Sequence, residues 1–332
     1  MIVVQKPARA LEHHLSPLMP FLADDSLTEI VVNRPNEVWT EGSEGWSKHT
    51  VDMSFQHCQS LATLIASYNQ DSVTEKKPVL SASLPAGERV QVVVPGACTA
   101  NTVSITIRKP SVLDYSLDEL EAQGSFAGVE SASTELAPFE NRLLQLKSEG
   151  RVKEFLELAV SSHRNIIIAG ATGSGKTTVT KSLIRCIDPR ERIITIEDVH
   201  ELFLTNFPNK VHLFYKNIEG SVFTSKDAIA SCVRMKPDRI LLAELRGPET
   251  LDYIDSLNTG HPGSITTIHA NSALDVFTRL ISLVKKSDEG VTLDPDYIRT
   301  MCLQVVDVVL YYERRKLKEI YYEPARKYSH MG

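Results

Sequence analysis

Eight consecutive residues, Gly170-Ala171-Thr172-Gly173-Ser174-Gly175-Lys176-Thr177, fit the pattern G-x-x-x-x-G-K-[ST], and Thr178 follows them. Glycines at this spacing let backbone N–H groups converge on phosphate oxygens, and a following helix adds the positive end of its dipole. Lys176 is then placed to reach β- and γ-phosphates, and the Thr177 hydroxyl to ligate Mg²⁺. The chemistry expected of residues 170–178 is binding of a nucleoside triphosphate, ATP, together with Mg²⁺.

Phosphoryl chemistry also needs carboxylates to hold the metal and position the attacking water. Two apolar runs end in acids. One is Ile193-Ile194-Thr195-Ile196-Glu197-Asp198, with Glu201 close behind; the other is Arg239-Ile240-Leu241-Leu242-Ala243-Glu244. Strand C-termini face the ligand crevice of an open α/β sheet. Glu197 and Glu244 are therefore expected to divide the base and metal roles in either order, with Thr177 as the third metal ligand. His269 ends the run Ser264–Ile268 on the same rim, within hydrogen-bonding reach of a γ-phosphate. His261 lies at the other end of that run.

These side chains need a frame. Strands are expected at Ile166–Ala169, Arg192–Glu197, Arg239–Ala243, Ser264–Ile268 and Val305–Tyr311, the last pairing with Glu319–Tyr322. Helices are expected from Lys176 and over Lys226–Met235, Glu249–Leu257 and Ala273–Val284. Such alternation predicts an α/β fold with a mainly parallel sheet, and the separation of the loop from the second acidic strand makes it RecA-like. Upstream, strands at Glu29–Val32, Glu37–Trp39, Val79–Leu84, Arg89–Val94 and Val103–Ile107 and an amphipathic helix over Ser54–Asn69 read as a smaller α+β domain. The expected division is 1–110, a linker at 111–135, and a RecA-like ATPase domain at 136–332.

The chain has 332 residues, 42% hydrophobic and 23% charged, with a net charge of −6. Residues 111–150 hold eight acids and two bases, so the whole imbalance sits at the expected joint. That composition excludes a disordered chain and a collagen, and the mild acidity argues against a nucleic-acid backbone as the main partner. Five scattered cysteines without a C-x-x-C fit buried thiols in a reducing compartment. With no signal peptide and no run near the ~18 residues of a membrane span, a cytoplasmic location is expected.

In their order the motifs resemble the hexameric traffic ATPases of bacterial type IV secretion systems, relatives of the type II secretion and pilus-retraction ATPases. The phosphate loop Gly170–Thr177, an acidic box Ile196–Glu201, an atypical second acidic strand Ala243–Arg246 and a histidine box Thr259–Asn271 carry the likeness. Thr28–Glu41, Gly87–Val90 and Ser104–Ser111 extend it to the N-terminal region. The resemblance implies that Arg89 and Arg108 touch the nucleotide from the N-terminal domain, and that ATP closes the two domains. It also implies a homohexameric ring at the cytoplasmic face of the inner membrane, partnered with inner-membrane components of a secretion, pilus or conjugation apparatus. The chain lacks the four-cysteine module of the type II branch, which favours type IV. The linker leaves room for a domain swap.

Three other classes share parts of this pattern. A nucleic-acid translocating motor needs a basic groove with interleaved aromatics; here the basic run Arg314–Lys318 is short and reads as a solvated hairpin turn. A nucleotide-gated scaffold keeps the loop but hardly turns over. A small-molecule kinase needs an acceptor pocket and a lid, neither visible in the sequence. Leu11, Leu15, Leu18, Met19 and Leu22 offer either a docking face or ordinary packing.

Overall fold

The computed structural model describes residues 6–110, 115–129, 131, 133–217 and 220–327. Residues 111–114, at the head of the expected linker, and the Ser111 end of Ser104–Ser111 lie outside them.

The N-terminal sheet contains β1 (Glu29–Arg34), β2 (Glu37–Gly42), β3 (Gly45–Thr50), β4 (Val79–Ser83), β5 (Arg89–Val93) and β6 (Ser104–Arg108). They are antiparallel throughout, in the order β3-β2-β1-β6-β5-β4. The helix Phe55–Tyr68 starts where Ser54 Oγ accepts the His57 N–H at 3.2 Å. Its stripe of Cys58, Leu61 and Ile65 packs with Ile30, Val32, Val92 and Ile105. Leu11, Leu15 and Leu18 are buried in this same core and Leu22 packs against it, while Met19 is exposed. That segment is ordinary packing. β3 gave no sequence signal because no residue of it is buried, so apolar alternation is missing.

The second sheet holds β7 (Ile166–Ala169), β8 (Ile193–Glu197), β9 (Lys210–Phe214), β10 (Arg239–Leu245), β11 (Ile265–Ile268), β12 (Val308–Glu313) and β13 (Lys316–Tyr322). Its order is β13-β12-β7-β11-β10-β8-β9, parallel except for the β12–β13 hairpin. β11 lies between the phosphate-loop strand and β10, as the RecA-like expectation requires. Strand side chains alternate between two cores: Ile167 and Ala169 face one, Ile166 and Ile168 the other. Burial on both faces explains the unbroken apolar runs in the sequence.

The N-terminal sheet is joined to the edge strand β9 and to the N-terminal ends of β8, β9 and β10. Arg192, fully buried, donates to Asn33 Oδ1 at 2.7 Å, Asn209 Oδ1 at 2.6 Å and the Met235 carbonyl at 2.9 Å. Its guanidinium lies 5.6 Å from the Trp46 ring centroid, and burial lowers its pKa to about 10. Trp46 Nε1 donates to Asp238 at 3.1 Å, Gln91 to Ser231 at 2.9 Å, and the Phe214 N–H to the Ala97 carbonyl at 2.9 Å. Val93, Ala97 and Cys98 are buried in the core of the second sheet. All five cysteines are free thiols, four of them buried. Among the described residues no helix is long and apolar enough to cross a membrane.

Candidate active site

Five segments meet at the C-terminal rim of the parallel sheet. They are the loop after β7, the loop after β8, the end of β10, the residue after β11 and the β12–β13 turn. They enclose a cleft of about 860 Å³. The loop after β7 turns through Gly170, Gly173 and Gly175, all at positive φ, into the helix Lys176–Ile184. A side chain at Gly170 would collide with the Tyr312 carbonyl and Ser174 Oγ, so the loop is seated on the β12–β13 hairpin and needs glycine there.

Lys176 Nζ donates to the carbonyls of Gly170 at 2.7 Å and Ala171 at 3.0 Å, and stands 3.5 Å from His269 Nδ1. Burial lowers its pKa, against the opposing pull of Glu244. Ala171, Thr172, Gly173, Gly175, Thr177 and Thr178 line the cleft; Gly170 and Ser174 lie beneath it, buried.

Glu244 is the central acid. Its Oε1 lies 2.8 Å from His269 Nε2, and its Oε2 accepts from Arg246 Nε at 2.8 Å. Arg246 also pairs with Asp198 at 2.5 Å. The backbone that presents Arg246 is fixed from below. Glu249, fully buried, accepts the N–H groups of Arg246 at 2.9 Å and Gly247 at 2.8 Å. Asn165 does the same for the strand that delivers His269, accepting Gly263 N–H at 2.8 Å and Ser264 N–H at 3.1 Å.

Glu197 does not reach the cleft. It is fully buried, and its oxygens accept from Thr195 Oγ1 at 2.6 Å and from the N–H groups of Glu201 and Leu202 at 2.8 Å each. Burial alone would raise its pKa, but hydrogen bonds from His212, Thr195, Leu202 and Glu201 prevail and lower it. Glu197 therefore anchors the loop and does not face the nucleotide cleft. The reason is strand parity: Glu197 points into the sheet interior, and Asp198 and Glu201 line the cleft. Glu201 Oε2 is 3.4 Å from Thr177 Oγ1. These two oxygen donors suit a hard cation such as Mg²⁺.

Arg89 and Arg108 are also elsewhere. Arg89 starts β5, Arg108 ends β6, and the two are cross-strand partners. They open on a separate cavity of about 740 Å³ with Glu29, Arg234, Lys236 and His261. The joint at the N-terminal ends of β8–β10 causes this. It holds the N-terminal sheet at the end of the parallel strands opposite the phosphate loop. His261, in the loop before β11, belongs to that far side. Arg89 and Arg108 thus do not meet their own chain's phosphate loop.

Arg315 went unread. The basic run forms the expected hairpin turn, with Arg314 and Arg315 at positive φ. Because β12 runs parallel to β7, that turn lies on the nucleotide rim, and Arg315 lines the cleft. Its N–H donates to the Ser174 carbonyl at 3.0 Å. The missing signal was topological: only the parallel pairing of β12 brings a remote turn to the loop.

Residues 12–310 match the family described as "Type II/IV secretion system protein". The chain is 44% identical over 334 aligned positions to Type IV secretion system protein VirB11 of Brucella abortus biovar 1 (strain 9-941), covering 97% of this chain and 92% of that protein. It is 40% identical to Type IV secretion system protein PtlH of Bordetella pertussis (strain Tohama I), over 92% of this chain and 91% of that one. The crystal structure of the VirB11 ATPase from the Brucella suis type IV secretion system, in complex with sulphate, superposes with a TM-score of 0.91. It is 44% identical and covers 96% of this chain and 99% of that one.

Proposed function

The chain belongs to the Type II/IV secretion system protein family and is a traffic ATPase powering type IV secretion; on that premise we propose that it works as a homohexameric ring. The ring docks peripherally at the cytoplasmic face of the inner membrane, against membrane components of the apparatus. In this reading residues 1–110 are the nucleotide-sensing domain, 111–135 the linker and 136–332 the ATPase domain. The observation that supports the catalytic reading best is the Lys176–His269–Glu244–Arg246–Asp198 chain of contacts beside the phosphate loop.

ATP binds with its phosphates along residues 170–178, where backbone N–H groups and the helix N-terminus face them. Lys176 turns from the loop carbonyls to the β- and γ-phosphates. Thr177 and Glu201 would hold Mg²⁺, which would supply charge neutralisation of the phosphate oxygens. A water attacks the γ-phosphorus and gives its proton to Glu244; the bond to the β–γ bridging oxygen breaks, and ADP and phosphate leave. His269 and Arg246 hold the Glu244 carboxylate in place, and His269 senses the γ-phosphate. Arg246 and Arg315 offset charge on the transferring group.

Arg89 and Arg108 act across a subunit boundary, over a neighbour's cleft, as the linker allows. Closure then occurs between one chain's ATPase core and the next chain's N-terminal sheet, and hydrolysis releases it.

Mixing two inactive variants tests this. Lys176→Ala chains have a dead cleft but good arginines; Arg108→Ala chains have the reverse. Co-assembly should restore part of the ATPase activity if the arginines act in trans. Mixtures as inactive as either parent would place Arg108 at its own chain's site or outside catalysis. Steady-state phosphate release by the wild type separates a motor from a nucleotide-gated scaffold.

A further inference from the structure

Beneath the nucleotide rim, on the side facing β9, three side chains converge that the hydrolysis reaction does not use. They are Glu197 at the end of β8, His200 in the following loop and His212 on β9. One carboxylate oxygen and one ring nitrogen from each histidine lie within 4.8 Å of one another. Glu197 Oε1 is 3.3 Å from His212 Nδ1 and 3.5 Å from His200 Nδ1. Ligands at about 2.0–2.1 Å from a tetrahedral zinc stand about 3.3 Å from each other, so both distances are those of tetrahedral edges. The two imidazole rings stand 4.7 Å apart between centroids and nearly perpendicular.

We propose that Glu197, His200 and His212 form a binding site for a divalent transition-metal ion, zinc by the chemistry of its ligands. Two imidazoles and one carboxylate are a borderline-soft donor set that Mg²⁺ does not favour. A cavity of about 300 Å³, walled by His200, His212 and Phe203, gives the ion a way in. Arg34 and Lys210 also line that cavity, but both are engaged. Arg34 pairs with Glu37 at 3.2 Å and donates to the Pro208 carbonyl, and Lys210 donates to the Leu204 carbonyl.

The present hydrogen bonds show how the site takes up metal. Thr195 Oγ1 donates to Glu197 Oε1 and lies 2.8 Å from His212 Nδ1. Uptake requires His212 as the neutral tautomer with its proton on Nε2, leaving Nδ1 free to ligate. Thr195 keeps its bond to the carboxylate and becomes the outer support of a ligand. The other oxygen of Glu197 still holds the N–H groups of Glu201 and Leu202. An ion here therefore stiffens the loop that carries Asp198 and Glu201 into the cleft, and couples it to β9, against which the N-terminal sheet packs.

The test uses the full chain, stripped with a chelator and titrated calorimetrically with zinc chloride in the presence of excess Mg²⁺. One zinc per chain is expected, together with a raised thermal midpoint. His200→Ala should weaken uptake by about tenfold or more and abolish the shift in midpoint. His212→Gln should do the same. Glu201→Gln and His57→Ala, which alter the cleft and the distant helix Phe55–Tyr68, should leave uptake intact. No stoichiometric uptake, displacement by Mg²⁺, or equal affinity in His200→Ala would overturn the proposal and leave the three groups as a hydrogen-bonded anchor. His200 is a surface residue, so its variant reads out even if His212→Gln does not fold.

Discussion

Thr177 Oγ1 faces Glu201 Oε2 across 3.4 Å, at the first turn of the helix that follows the phosphate loop. Glu197, four residues earlier, spends its carboxylate on the loop backbone. Two neighbouring acids thus have separable effects. Glu201→Gln should raise the Mg²⁺ requirement of turnover and lower its rate, with the thermal midpoint nearly unchanged. Glu197→Gln should cost stability instead, about 1–3 kcal/mol for buried hydrogen bonds weakened or lost. A Mg²⁺ titration of phosphate release beside a denaturation curve separates them. A stable Glu197→Gln protein with a raised Mg²⁺ requirement would return that residue to the metal.

Glu244→Gln should still bind ATP while turnover falls by about 10²–10⁴, the range for removing a general base. His269→Ala should lower kcat less, because it removes only one of the two groups holding that carboxylate. Equilibrium binding of an ATP analogue and single-turnover phosphate release report on the two steps. Wild-type turnover in Glu244→Gln would dismiss the assignment.

Arg315→Ala should raise KM for ATP by about tenfold, the scale of one hydrogen bond to a charged group. The thermal midpoint should hold, since the side chain is exposed. Arg314→Ala is the comparison: it shares the turn but does not line the cleft. Equal effects of the two would mean that general positive charge, not position, matters.

Glu29 predicts a pH dependence. Burial raises its pKa to about 7, with Arg108 at 3.5 Å pulling the other way. A carboxyl whose pKa is higher folded than unfolded binds more protons in the native state. Its contribution is full below about 4.5 and is lost as pH rises toward 7. The swing is on the order of 3 kcal/mol. Urea denaturation between pH 5 and about 8 should show stability falling with pH in the wild type and a flatter profile in Glu29→Gln. Parallel profiles would show that Glu29 ionises normally.

Much of this was legible in the sequence because the α/β core writes itself in apolar runs. Ile166–Ala169, Ile193–Ile196 and Arg239–Leu242 are buried on both faces, and each ends at a chemically distinctive residue. The phosphate loop, Glu244 and His269 could therefore be placed on one rim without coordinates. Illegible were features decided by side-chain direction or by distant pairing. Glu197 and Asp198 are adjacent letters, but one points into the sheet and the other into the cleft. Arg315 reaches the nucleotide only because β12 lies beside β7. β9 hid because its Lys-Val-His-Leu-Phe run is short and mixed. Arg89 and Arg108 were found as a pair, but no spacing could say at which end of the core they would lie.

The buried Arg192 has a mechanical consequence. Prising the N-terminal sheet from its own ATPase core would break the Asn33 bonds to the buried Arg192 and to Asn209 and expose Val93, Ala97 and Cys98, at a cost on the order of several kcal/mol. That joint is therefore a weld. Each chain should move as one rigid lever, with its fulcrum at the boundary with the next chain, so that a stroke begun at one phosphate loop arrives undamped at the far tip of the same molecule.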